Sequence, residues 1–102
     1  MGYIRIQTVD NGQMIIDANR ILNVRFGNTS KSYIEFILDF FDSTANQPSQ
    51  LRLNSVNGNG SFNDQTLIQY NNAVIAAQNS RVVDIIPVSG QEVLDIKYNP
   101  AP

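Results

Sequence analysis

The sequence predicts an α+β fold: a mainly antiparallel, twisted sheet or partial barrel of about six or seven strands with one packed helix. Short runs alternate apolar and polar residues with period 2, the signature of half-buried strands. Clusters of Asn, Gly, Asp and Ser separate them, as hairpin turns require. Only one stretch, near Asp64 to Asn79, repeats apolar residues at helical spacing. The chain has 102 residues, too few to fill a second core, so residues 1–98 read as one domain. Residues 99–102 read as an extended tail, because Pro100 and Pro102 cannot continue a ladder.

Tyr3 to Val9 places Ile4, Ile6 and Thr8 on one face and Tyr3, Arg5 and Gln7 on the other. Asp10-Asn11-Gly12 is a turn signal, since Asn and Gly tolerate positive φ, and Met14 to Ile16 returns as the second arm of a hairpin. After a bend at Asp17-Ala18-Asn19, Leu22, Val24 and Phe26 alternate as a further strand, closed by the turn Gly27 to Ser30. Tyr33 to Phe41 is the most apolar stretch. Its β-branched and aromatic residues make it a central strand, with Ile34, Phe36, Leu38 and Phe40 on one face. Its second face, with Glu35, Ile37 and Asp39, is mixed and should be partly covered.

Ser43 to Gln50 is polar, contains Pro48 and reads as a loop; Leu51 and Leu53 mark a short strand ending near Val56. Asn57 to Gly60 is too glycine-rich for regular structure. Ser61 to Asp64 has capping-box spacing, with Asn63 or Asp64 as alternative caps. Behind it Leu67, Tyr70, Val74 and Ala77 form a helical stripe that Ile68 and Ile75 widen. Arg81 to Val88 and Glu92 to Tyr98 complete the fold as a hairpin around Ser89-Gly90. The expected core is Ile4, Ile6, Leu22, Val24, Phe26, Ile34, Phe36, Leu38, Leu67, Val74, Val83, Ile85 and Ile96.

Composition argues against most enzymes. There is no His, Cys or Trp, which removes imidazole acid–base catalysis, thiolate nucleophiles and the usual zinc, haem and iron–sulfur ligand sets. Glu35 with Asp39, or Asp84 with Asp95, would be the carboxylate pairs of a glycosidase, but acids on the wet side of a sheet account for them equally well. A Ser–Lys nucleophile using Lys31 or Lys97 has no supporting spacing. The Asn57–Asp64 loop offers oxygen ligands but lacks the carboxylates of a calcium loop and the Lys of a phosphate loop. No cofactor is expected. A net charge of −2, with the five Arg and two Lys scattered, argues against nucleic acid as a partner. The aromatics are needed for the core rather than as a base-stacking platform. No run approaches the ~18 apolar residues that cross a bilayer, and MGYIRIQTVD has no pattern of a cleaved signal. Met1-Gly2 opens like a myristoylation signal, but Ile6 stands where Ser or Thr belongs.

The surface composition is more informative. Amides are abundant, with 13 Asn and 8 Gln, whereas Lys and Glu occur twice each. Lys and Glu are depleted at the centres of protein interfaces, where desolvating and freezing them costs free energy, and Lys guards sheet edges against strangers. A strand-rich chain with so few of either has a surface that is easily buried, which suits a component of an assembly. Compositional drift in the source genome would give the same pattern without any function.

The succession MIIDANRILNVRF, YIEFILDFFDS, LRLNSVNGNG and LIQYNNAVIAAQNSRVVDI, spanning roughly Met14 to Ile86, resembles small structural proteins of tailed bacteriophages, notably the capsid decoration or cement type of marine phages. The resemblance rests on pattern and composition. It implies a non-enzymatic virion protein, assembled in the host cytoplasm, that reinforces joints between major capsid subunits. The partners expected are major capsid protein or other assembly subunits, with self-association. The alternative is a small adaptor module that binds a partner or ligand. Terminal strands most easily lie at a sheet boundary, so the expected pairing edges are Tyr3–Val9 and Val93–Tyr98. The candidate contact residues are Tyr3, Arg5, Arg25 and Tyr98, with the pre-extended tail residues Asn99, Pro100 and Pro102.

Overall fold

Strict alternation closes the first hairpin. In the computed structural model, which describes residues 2–39, 49–56 and 62–99, β1 (Tyr3–Thr8) pairs antiparallel with β2 (Gly12–Asp17), setting Ile4 against Ile16 and Ile6 against Met14. Gly12 has φ +67°, a conformation that side chains disfavour. The Thr8 hydroxyl receives the Asn11 N–H at 3.1 Å and donates to the Gly12 carbonyl at 2.7 Å, which fixes the turn. A short 3-10 turn, Ala18–Arg20, leads into β3 (Ile21–Phe26), and β4 (Tyr33–Leu38), β5 (Gln50–Ser55), the helix α1 (Asp64–Gln78), β6 (Val82–Ile85) and β7 (Val93–Asn99) follow.

These seven strands form one mixed, largely antiparallel sheet that does not close, in the order β2-β1-β7-β5-β4-β3, with β6 beside β1. The α+β reading from sequence holds. Two details of it do not. Residues 81–98 are not a hairpin: β6 and β7 both run parallel to β1 and occupy the same flank of it in succession, β6 along Tyr3–Ile6 and β7 at Thr8. Pro87 has no N–H to give a ladder, and the segment between the strands instead reaches the start of α1. There Gln91 Oε1 accepts the Asn63 N–H at 2.8 Å and the Thr66 hydroxyl at 2.7 Å. The second correction follows from the first. β1 has partners on both flanks, and β7 lies between β5 and β1, meeting β1 at its Val93 end. The strand path therefore ends at β2 and β3 rather than at the terminal strands, with β6, paired only to β1, as a further edge.

Asn63 is the N-cap of α1, its side chain accepting the Thr66 N–H at 2.9 Å. Tyr70, Ala73, Val74 and Ala77 are buried on the sheet, with Leu67 half-buried beside them. Ile68 and Ile75, which widen the stripe in the sequence, are exposed. Most of the expected core is buried in one cluster; Phe26, Leu67 and Val83 sit at its margin. Leu22 is the exception, 68% exposed. The ladder shifts between Ile21 and Asn23, so Leu22 is the extra residue of a bulge and Ile21 takes the inward place against Leu38.

β4 ends at Leu38; the expected strand residues Phe40 and Phe41, residues 43–48 of the expected loop and Asn57–Gly60 lie outside the described residues, and Gln50, expected in that loop, begins β5. Asn99, assigned to the tail, continues β7 opposite Gln50; Pro100 and Pro102 lie outside the described residues.

The Phe36 and Tyr70 rings meet edge to face at the centre of the core, their centroids 6.3 Å apart. Tyr70 is fully buried, and its hydroxyl has no partner among the described residues, so desolvation raises its pKa well above the ordinary phenol value. Gly2 is wedged against the C-terminal end of α1, where a Cβ would stand 1.5 Å from the Ala77 carbonyl oxygen. Urea unfolding should separate these roles. Phe36→Ala should cost about 3–5 kcal/mol through the cavity it leaves. Tyr70→Phe should be neutral or stabilising by up to about 1 kcal/mol, because it removes a buried hydroxyl that bonds nothing. Gly2→Ala should destabilise despite adding only a methyl group, since backbone must move to admit it.

Candidate interaction surface

The side of the β1–β2 hairpin that turns away from the core forms, with β6, a small three-stranded face. Register places Asp17, Tyr3 and Val82 in one row and Ile15, Arg5 and Asp84 in the next. Gln13 and Gln7 begin a third row, beside which Ile86 lines the same shallow cleft. The α1 helix packs on the other side of the sheet, against the layer that buries Ile4, Ile6 and Ile85. Arg5 stands at the centre of the outer face. Its guanidinium forks onto the Asp84 carboxylate, with Nε to Oδ1 at 2.5 Å and Nη2 to Oδ2 at 2.8 Å. That contact raises the Arg5 pKa above its ordinary value and cancels the charge locally. Around the pair Ile15, Val82 and Ile86 are exposed, Ile86 by 78%. A face whose central charges cancel and whose apolar side chains stand in water is costly to leave bare and cheap to cover.

The other half of the sheet is built differently. Arg25, Glu35, Arg52 and Lys97 stand opposite one another in register across β3, β4, β5 and β7. Glu35 is only 4% exposed, and it sits 3.5 Å from the Arg25 guanidinium and 3.8 Å from that of Arg52. Arg52 in turn lies over the Tyr33 ring, 4.2 Å from its centroid. The mixed second face expected of this strand is thus covered by its own neighbours. This is a structural arrangement: one buried carboxylate is balanced by the cations beside it.

Along β2 runs an apolar groove of about 380 Å³, lined by Met14, Ile16, Leu38, Leu51, Ile96 and Tyr98. Arg20, paired with Asp39 at 2.9 Å, stands at its rim.

Of the contact residues read from sequence, the structure brings Tyr3 and Arg5 together on the outer face of β1. Arg25 lies across the sheet with Glu35. Tyr98 opens into the groove and donates its hydroxyl to Ser49 Oγ at 3.1 Å. Sequence reasoning missed Ile15, Val82 and Ile86. Ile15 was readable, as an apolar residue on the face that Arg5 and Gln7 make polar. Val82 and Ile86 were not, because a parallel pairing across most of the chain places them there. The carboxylates once paired as candidate acids are engaged with cations instead, Asp39 with Arg20 and Asp84 with Arg5. Among the described residues no three His, Cys, Asp or Glu side chains gather as a metal site, and no helix is long and apolar enough to cross a membrane. No protein-family model, curated protein or solved structure matches this chain.

The two halves should respond differently to mutation. Glu35→Ala should cost about 1–3 kcal/mol in urea unfolding, because it leaves Arg52 beside an uncompensated buried space. Arg25→Ala, at an exposed partner, should cost under about 1 kcal/mol.

Proposed function

We propose that the protein is a non-enzymatic structural component of a virion, of the capsid decoration or cement type, which stabilises the shell through protein–protein contacts. The observation that supports this reading is the outer face of β2, β1 and β6, where Ile15, Val82 and Ile86 surround the neutralised Arg5–Asp84 pair. Such a face suits a protein partner with a flat, mostly uncharged surface. Arg5 and Tyr3 supply residue types enriched at interface centres. The scarcity of Lys and Glu in the chain supports the same reading.

A second reading, a small adaptor that binds a ligand or partner, is favoured by the apolar groove beside β2. Purification from the native source separates the two. Co-sedimentation with a large particle supports the virion component, and a soluble protein that retains a small apolar ligand supports the adaptor.

Within the first reading, Ile86→Glu should weaken particle binding by about tenfold or more while leaving the unfolding curve unchanged, since a desolvated charge costs more than the lost contact. Binding by the unchanged protein should vary little with salt, because Arg5 and Asp84 neutralise each other and Asp17 at the corner leaves only one uncompensated charge to screen. A steep salt dependence would contradict this use of the face.

A further inference from the structure

We infer that β2 is a docking edge for a second copy of this chain, the two β2 strands adding antiparallel across a two-fold axis at Ile15.

The hydrogen-bond parity of β1 shows which groups β2 leaves free. Tyr3 N–H donates to the Arg81 carbonyl and Val9 N–H to the Val93 carbonyl, so the odd-numbered residues of β1 address β6 and β7. The even-numbered residues therefore address β2, and the register turns Met14 and Ile16 toward β1. Gln13 and Ile15 then direct their N–H and C=O away from the sheet, and these groups meet no partner among the described residues.

The two ends of the β2-β1-β7-β5-β4-β3 path are treated differently. On β3 the Val24 N–H is taken by the Asn23 side chain at 2.9 Å, the Ile21 carbonyl accepts Gln78 Nε2 at 3.0 Å, and the bulge at Leu22 interrupts the strand. Those are the devices that stop a strand from pairing with strangers. β2, with the sequence GQMIID, has no Pro, no Lys and no bulge in its ladder.

Self-pairing fits the side chains. With Ile15 on the axis, Ile15 faces its own copy, and Gln13 of each chain stands opposite Asp17 of the other. The Ile15 side chain is 64% exposed and gains a cross-strand apolar partner. The Gln13 amide can donate to the second oxygen of Asp17, whose Oδ1 already accepts the Asn19 N–H at 3.0 Å. No like charges meet within the paired residues. The alternative occupant, an extended segment of another protein, would satisfy the backbone but leaves this complementarity unexplained.

An edge pair is a small interface, so the dimer should be weak and concentration-dependent. Sedimentation of the full chain from about 1 μM to about 1 mM should show mass rising from one copy of 11.4 kDa toward two. Ile15→Pro removes only the outward N–H and spares the bonds to β1, so it should abolish the dimer with the circular-dichroism spectrum retained. Ile15→Lys, at the same exposed position, keeps the backbone intact and should weaken the dimer by placing like charges on the axis. The register makes a sharper demand. Gln13→Lys should tighten the dimer against Asp17 and Gln13→Glu should weaken it, the two differing by roughly tenfold at low salt. A monomer at every concentration, a dimer indifferent to both Ile15 variants, or Gln13 variants that shift together would each overturn the inference. None of these results depends on the virion reading, which is tested at Ile86 and by particle binding.

Discussion

Both flanks of β1 are occupied, and the rest of the fold depends on that arrangement. β2 takes one flank, and β6 and β7 share the other in turn, with Val9 and Asp10 extending the ladder onto Val93 and Leu94. One six-residue strand thereby joins the chain's beginning to its end. β6 returns parallel to β1 only after β2 to β5 and α1, and the helix that leads into it is held over Ile4 and Ile6 by the connections at both of its ends. The start of α1 is tied to Gln91 and its end to the buried Gly2. Displacing β1 would release the hairpin, the helix and β6 together.

Placing β1 at the centre also determines which surfaces remain. The inner layer is filled by Phe36, Tyr70 and the isoleucines, and the outer layer has no second helix to cover it. On the β3–β4–β5 side the outer layer is covered by its own charges, with Glu35 buried beneath Arg25 and Arg52. On the β2–β1–β6 side the charges are only Arg5 and Asp84 at the centre with Asp17 at the corner, and apolar side chains surround the pair. The same strategy of neutralising a charge by its neighbour therefore leaves a charged, self-covered surface in one half and an exposed apolar one in the other. The difference lies in what surrounds the pair: Tyr33 and Asn54 in the first half, Ile15 and Val82 in the second.

Local signals were legible in the sequence. The Asp10–Gly12 turn, the alternation of β1 and β4, and the Tyr70–Val74–Ala77 stripe each depend on residues close in the chain and form as read, and the cap falls on Asn63, one of the two alternatives to the Ser61 capping box. What failed was non-local. Residues 81–98 read as a hairpin because two apolar runs flank Ser89-Gly90, but strand direction is decided by the open flank of β1, far away in sequence. The edges were misplaced for the same reason. Leu22 failed differently, since one bulge reverses which side of a strand faces the core and alternation alone cannot register the extra residue. Of the interaction surface, Tyr3 and Arg5 were accessible from local parity, whereas their neighbours Val82 and Ile86 arrive only with the parallel return of β6.

The open edge and the outer face are linked by geometry. Ile15 belongs to both, because its backbone forms the edge and its side chain stands beside Arg5 on the face. Pairing β2 with its own copy would join the two seven-stranded sheets into one, with β6-β1-β2 running into β2-β1-β6 at the seam and the two outer faces side by side. A single face with three exposed apolar residues is a modest adhesive. Two of them held rigidly on one sheet engage a repetitive surface with the second contact made at high effective concentration, so a weak dimer and a weak docking face reinforce each other. A lattice of identical subunits offers such repeated sites, whereas a lone partner does not. Under the two proposals together, the unguarded edge of β2, a liability in an isolated domain, would be the feature that makes binding depend on the target being an array.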